Sequence, residues 1–260
     1  MIIIRAMRRR ALILHYAGDV TNYITGVSAD IENIKNFLHS NYGGAWEDSE
    51  ITVAPNNSSV NDLKCYFNES VESTYYYLIF YTGHGSYIEG KGSIYWLNNQ
   101  EYINDAWLQN CIGKKAAAML ISDSCQVIEK LQEGGILEQR AFSVETLKSV
   151  REECRVLYNE ALRKLPSGMF VIASSVSPGE EAAEDSKLGG YYIHSLLQAA
   201  KKVVQNNKHQ NGIYGIGYIH SLAYEQVEQL SNGKQTPYLK GYTRSSQPPF
   251  VVKIIPSRLF

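Results

Sequence analysis

Residues 75–85 read Tyr-Tyr-Tyr-Leu-Ile-Phe-Tyr-Thr-Gly-His-Gly. The run Tyr75–Thr82 is aromatic, aliphatic and β-branched, and is the strongest strand signal in the chain. Gly83-His84-Gly85 ends it. Working outward, Ala11–Ala17 and Ala116–Ser122 are continuous apolar runs, as in strands buried on both faces of a parallel sheet. Further strands are expected at Ile51–Ala54, Gly168–Ser174 and Phe250–Ile255, with a hairpin around Gly92–Leu97. Between them the spacing predicts helices. Asp30–Ser40 has Ile31, Ile34, Phe37 and Leu38 on one face, and Ser59–Ser70 has Val60, Leu63 and Phe67. Glu101–Cys111, Tyr191–Val204 and Ile219–Leu230 are also expected to be helical. Strands alternating with helices predict an α/β fold, its sheet mostly parallel and covered by helices on both faces.

The 260 residues are 44% apolar and 20% charged, which is enough for a folded core and excludes disorder as the dominant state. Lys plus Arg is 25 and Asp plus Glu is 26, so there is no basic footprint for nucleic acid. The short run Arg8-Arg-Arg10 is the one basic cluster, available to an acidic partner. No stretch approaches the roughly 18 apolar residues of a membrane helix, so no membrane partner is expected. Apolar residues precede the arginines at the N-terminus, the reverse of a secretory signal. Cys65, Cys111, Cys125 and Cys154 form neither a CxxC pair nor a metal-ligand spacing. That pattern fits a reducing, cytoplasmic compartment with no metal and no cofactor.

In open parallel sheets, functional groups gather beyond the carboxyl ends of the strands. Two strands end in pointed chemistry. Tyr75–Thr82 runs into Gly83-His84-Gly85, and Ala116–Ser122 runs into Asp123-Ser124-Cys125. A cysteine attacks as thiolate and needs a neighbouring base or positive field. An imidazole, with an ordinary pKa of about 6.5, takes and returns that proton. His84 and Cys125 meet if their strands are neighbours. Gly83 permits a tight strand exit. The Gly85 and Cys125 amides are candidate donors to an oxyanion.

Tyr81-Thr-Gly-His-Gly85 followed by Asp123-Ser-Cys125 resembles the caspase and metacaspase group of cysteine peptidases. His84 and Cys125 stand 41 residues apart, against roughly 50 in caspases. Gly26-Val-Ser-Ala-Asp30 with its following helix resembles the first helix entry of metacaspases. Ala173-Ser-Ser175, Pro178-Gly-Glu-Glu181 and the helix from Tyr191 resemble the family's small-subunit segment. Gln235-Thr-Pro237 resembles a turn frequent in prokaryotic members. The resemblance implies a caspase–hemoglobinase-like three-layer sandwich with about six strands, and one peptidase domain over residues 1–260. Its large-subunit-like part is about 10–126, a helical insertion or linker about 127–165, and its small-subunit-like part about 166–260. It also implies a cysteine endopeptidase with a Cys125–His84 dyad, acting on protein or peptide substrates.

In metacaspases the position two before the nucleophile is Asp and faces a substrate Arg or Lys. Here it is Asp123, and Asp30 matches a second pocket acid. Ser174 and Ser175 are further candidates for that pocket. Cleavage after Arg or Lys is therefore expected. Prokaryotic relatives serve in defence or programmed-death systems beside a protein activator or effector, and the resemblance extends that role to this chain. Two features depart from the metacaspase pattern. Gln126-Val-Ile128 replaces the usual His-Ser-Gly, and no acidic calcium cluster stands between Gly85 and Cys125.

Several residues keep two readings. Asp30 is either a helix cap or a pocket acid, and Asp123 either a loop acceptor or a pocket acid. Ser174 and Ser175 either line the pocket or end a strand. The basic residues of 127–165, among them Lys130, Arg140, Lys148, Arg151 and Arg155, are sites of self-processing or ordinary surface charge. The whole chain is either a peptidase or a silent caspase-like module that binds a partner. His15 reads as a core histidine and His220 as a surface or helix-start residue, like His209. Cys65, Cys111 and Cys154 read as helix packing residues.

Overall fold

The computed structural model describes residues 8–68, 74–127, 148–206 and 210–255. The N-terminal half runs β1 (Arg8–Tyr16), α1 (Val27–His39), β2 (Ile51–Val53), α2 (Val60–Asn68), β3 (Thr74–Gly83), β4 (Gly85–Ile88), β5 (Gly92–Trp96), β6 (Tyr102–Asn104), α3 (Asp105–Ile112) and β7 (Ala117–Asp123). The C-terminal half runs α4 (Lys148–Arg163), β8 (Phe170–Ser174), β9 (Glu184–Asp185), β10 (Gly189–Gly190), α5 (Tyr191–Gln205), β11 (Gly212–Gly215), α6 (Ile216–Leu230), β12 (Tyr238–Lys240) and β13 (Pro249–Lys253).

The central sheet has six strands in the order β12-β8-β7-β3-β1-β2. All neighbours are parallel except the edge pair β12–β8. The strand period of two divides each strand between two cores. Ala11, Ile13, Leu78, Phe80, Met119 and Ile121 join one; Leu12, Leu14, Ile79, Tyr81 and Leu120 join the other. Helices α1, α4, α5 and α6 cover the first face through residues such as Phe37, Tyr158, Leu196 and Ile219. Helices α2 and α3 cover the second through Leu63, Phe67, Leu108 and Ile112. Leu78 and Ile79 are fully buried on opposite faces, each contributing about 1.5–3 kcal/mol. The expected three-layer α/β sandwich is therefore present.

Several boundaries differ from the sequence reading. Helix α1 starts at Val27, so Asp30 lies inside its first turns rather than at its cap. The expected helix from Glu101 begins only at Asp105. Tyr102–Asn104 instead pair with β5, and the Asn104 side chain accepts the Trp107 amide as the helix cap, at 2.9 Å. The hairpin is part of a three-stranded antiparallel sheet, β4-β5-β6. The final strand β13 does not join the central sheet; it pairs with β11, which has no apolar run to announce it. Helix α6 starts three residues earlier than expected.

The arginine run at the N-terminus is not a surface patch throughout. Arg9 is 2% exposed, stacks over Trp46 at 4.2 Å and bonds Glu50 at 3.3 Å. Cys65 is exposed rather than packed. His220 is inside α6, half-buried, with its Nδ1 2.7 Å from the Tyr192 hydroxyl, and burial lowers its pKa to about 4. Lys130, Arg140 and His209 lie outside the described residues. Arg151 and Arg155 on α4 bond the backbone and acids of the α1–β2 connection. No helix among the described residues is long and apolar enough to cross a membrane.

Candidate active site

Strands β3 and β7 are neighbours, and Thr82 pairs with Asp123 at their carboxyl ends. His84 and Cys125 therefore emerge from adjacent strands at one edge of the sheet, the condition set by the sequence. Both line a cleft of about 850 Å³ that also holds Gly85, Asp30, Asp123 and Glu184. No Lys or Arg among the described residues lines it.

His84 is held from three sides. Its amide donates to the Tyr16 carbonyl at 3.0 Å, its ring lies against Tyr16, and its carbonyl accepts the Tyr81 hydroxyl. Its Nε2 is 2.6 Å from the Asn22 carbonyl. A carbonyl only accepts, so the proton of a neutral ring is assigned to Nε2 and Nδ1 keeps a lone pair.

Cys125 is half-buried, and its thiol donates to the Ala182 carbonyl at 3.6 Å. Burial pushes its pKa up, and the carboxylates of Glu181, Asp123 and Glu184 add to the rise. The start of β4 lies close against this loop. A Cβ at Gly85 would sit 2.7 Å from both the Cys125 carbonyl and the Ser124 hydroxyl, which only glycine avoids.

Gln126, where the sequence departs from the metacaspase pattern, is 1% exposed. Its side chain donates to Ser174 Oγ at 2.6 Å and accepts from Ser93 Oγ at 3.2 Å. It therefore anchors the cysteine loop to β8 and β5. Ser174 and Ser175 are fully buried and do not line the cleft. Ser174 takes the Gln126 bond, and Ser175 Oγ accepts the Ser124 amide at 3.2 Å. Both lie behind the cysteine loop.

Asp30 and Asp123 come together at the cleft floor. Asp30 accepts from Thr82 Oγ1 at 2.6 Å and from the Gly190 amide at 3.0 Å. Asp123 accepts from the Ile193 amide at 2.9 Å, in the first turn of α5. Burial raises both pKa values, and the Asp123 charge adds to the rise at Asp30. Asp123 reaches about 6. Among the described residues no cation pairs with either, so their hydrogen bonds offset the burial only in part.

The sequence reading missed Glu184, Thr82 and Asn22. Glu184 lay within an acidic loop, but nothing local marks it. Its carboxylate accepts the Thr25 amide at 3.1 Å and the Gly26 amide at 2.7 Å, contacts 158 and 159 residues away. Among the described residues, no three His, Cys, Asp or Glu side chains are grouped to hold a metal ion.

An α/β sheet that carries a cysteine and a histidine on adjacent strand ends, above one cleft, is of the caspase type. The caspase domain model matches residues 8–246, and the chain belongs to this family of cysteine peptidases. A search of curated proteins found no match. Among solved structures, caspase-1 from Spodoptera frugiperda matches with a TM-score of 0.59, covering 98% of this chain and 93% of that chain at 15% identity. That likeness concerns the fold.

Proposed function

We propose that this chain is a cysteine endopeptidase that cleaves after Arg or Lys, with Cys125 as nucleophile and His84 as its proton carrier. One observation carries the reading: Cys125 and His84 share a cleft with two buried carboxylates and, among the described residues, no Lys or Arg. His84 Nδ1 takes the thiol proton while Nε2 stays on the Asn22 carbonyl. The thiolate adds to the scissile carbonyl, and the Gly85 and Cys125 amides stabilise the oxyanion. The imidazolium returns its proton to the departing amine, leaving a thioester. Water, activated by the same imidazole, hydrolyses the thioester and restores the thiol. Asp30 and Asp123 bind the basic side chain before the scissile bond. The four cysteines are free, which supports a cytoplasmic setting. A role in a defence or programmed-death system, beside an activator or effector protein, rests on the family resemblance.

Fluorogenic peptides ending in Arg, Lys or Asp test this, with wild type and Cys125→Ala side by side. Cleavage after Arg or Lys that disappears in Cys125→Ala is expected. Cleavage after Asp alone would overturn the pocket assignment, and cleavage surviving in Cys125→Ala would overturn the nucleophile.

One observation favours a second reading, a silent module acting by protein binding. The Cys125 thiol is bonded to a backbone carbonyl and its pKa is raised. Selective alkylation separates the two. A peptidase nucleophile reacts with iodoacetamide faster than Cys65, Cys111 and Cys154, whereas a silent cysteine shows no such preference.

A further inference from the structure

We propose that the cleft holds a second subsite, on the wall opposite the carboxylates, which binds an aromatic side chain on the residue just after the scissile bond and has Trp96 as its platform; this rests on the peptidase reading above. The two walls belong to opposite faces of the central sheet. Asp30 comes from α1, and Asp123 is bonded to α5, both helices of the first face. Strands β5 and β6 pack on the second face through Tyr95 and Ile103. Trp96 ends β5 and lines the cleft from that side, together with Val127. Cys125 and His84 emerge from the strand ends between the two walls. A peptide whose basic side chain enters the acidic wall therefore meets the Trp96 wall on the far side of the nucleophile, where its leaving half lies.

Trp96 is fixed relative to the reacting groups. Its amide donates to the His84 carbonyl at 3.2 Å, and its carbonyl accepts the Tyr81 hydroxyl at 2.6 Å. The same Tyr81 hydroxyl donates to the His84 carbonyl. Next to it, Gly85 pairs with Tyr95 and lets β4 lie directly on the cysteine loop, since a Cβ there would meet the Cys125 carbonyl and the Ser124 hydroxyl at 2.7 Å. The indole packs edge-on against Tyr102, with ring centroids 5.3 Å apart, yet Trp96 is only half-buried. A held, half-covered indole beside a nucleophile offers a rigid apolar surface at little cost in side-chain entropy.

A second observation on this side points to a ligand. The Ser124 hydroxyl lines the cleft, is 2% exposed and has no hydrogen-bond partner among the described residues. A buried hydroxyl left unpaired costs about 1–3 kcal/mol, which a bound polar group recovers. A peptide supplies both missing partners: an apolar side chain to cover the indole, and backbone N–H and C=O groups for the hydroxyl. An aromatic ring suits the platform better than an aliphatic chain, because ring pairs gain beyond the area they bury.

The test uses internally quenched peptides of one sequence, with Arg before the scissile bond and Phe, Leu or Gly after it. Cleavage is measured as kcat/KM in wild type, Trp96→Ala and Trp96→Leu. Trp96→Leu keeps apolar bulk against Tyr102 and serves if Trp96→Ala does not fold. Binding is measured as Kd in Cys125→Ala with and without Trp96→Leu, which needs no turnover. Wild type is expected to favour Phe over Gly by about tenfold or more in both readouts, with Leu between them. Either Trp96 substitution should bring the Phe-to-Gly ratio to within about threefold, mainly by weakening Phe. A role of Trp96 only in supporting His84 would lower all three peptides together and leave the ratio unchanged. Equal treatment of Phe and Gly in wild type, or a ratio unmoved by the substitutions, would overturn the subsite while leaving cleavage after Arg standing. Failure to cleave any of the peptides in wild type and to bind them in Cys125→Ala would overturn both.

Discussion

Two groups of buried charge lie on opposite terms with their surroundings. At the α1–β2 connection, Glu50 sits between Arg9 and Arg155, with oxygens 3.3 and 2.7 Å from their nitrogens. Burial pushes its pKa up, but the two arginines more than offset this and hold it below the ordinary carboxylate range. In the cleft, Asp30 and Asp123 are more deeply buried than Glu50, and both are raised, with no cation among the described residues beside them. The first group is closed upon itself and ties α4 to the N-terminal half. The second is open on the side of the cleft. A buried charge that the fold completes contributes structure, whereas one left incomplete is available to a ligand.

The largest expected effect falls on the closed group. Glu50→Gln leaves two guanidinium groups without their shared anion and is expected to cost about 3–5 kcal/mol in urea unfolding. The preference for basic peptides, measured on the folded fraction, should not change. A loss below about 1 kcal/mol would erase the contrast between the two groups.

The open group should behave in reverse. Asp30→Asn and Asp123→Asn are each expected to lower kcat/KM for Arg peptides by about a hundredfold. Neither should lower stability at pH 8, and a gain of up to about 2 kcal/mol is expected, because each removes an unpaired buried charge. Activity and stability falling together would mean that these acids are structural.

The pH dependence sharpens the same point. The folded-state pKa of Asp123 is about 6, above its unfolded value. Its folded form therefore binds the proton more tightly, and its contribution to stability is lost as pH rises through that window. The stability advantage of Asp123→Asn over wild type should grow as pH rises through about 6. Over the same range kcat/KM for Arg peptides should rise in wild type as the pocket gains its charge. Matching stability curves for the two proteins would contradict the raised pKa. The smallest effect is on the nucleophile: Glu184→Gln should speed Cys125 alkylation at pH 7 by about two- to threefold, by removing one anion near the thiol. An unchanged or slower rate would separate Glu184 from Cys125.

What the sequence disclosed follows from where its information is local. The ends of β3 and β7 were legible because two apolar runs stop at Gly-His-Gly and Asp-Ser-Cys, and parallel sheets present their strand ends together. Asp30 is legible, but its place inside α1 is not, because Ser28 and Asp30 both offer a capping side chain whereas the helix begins earlier, at Val27, behind Gly26, with no side-chain cap at all. Strands β11 and β12 are too short to show a period. Glu184 was hidden because its partners, Thr25 and Gly26, are distant in sequence. Gln126 looked like a departure from the family pattern. Buried between Ser93 and Ser174, it is an anchor.

The most direct test of the central claim is covalent capture. Wild type is treated with arginyl and aspartyl acyloxymethyl ketones, whose carboxylate leaving group an active-site thiolate displaces, and the labelled residue is located by peptide mass mapping. The account predicts one label, on Cys125, from the arginyl reagent, with little from the aspartyl one and none in Cys125→Ala. Equal labelling by both reagents, or label on Cys65, Cys111 or Cys154 in place of Cys125, would contradict it.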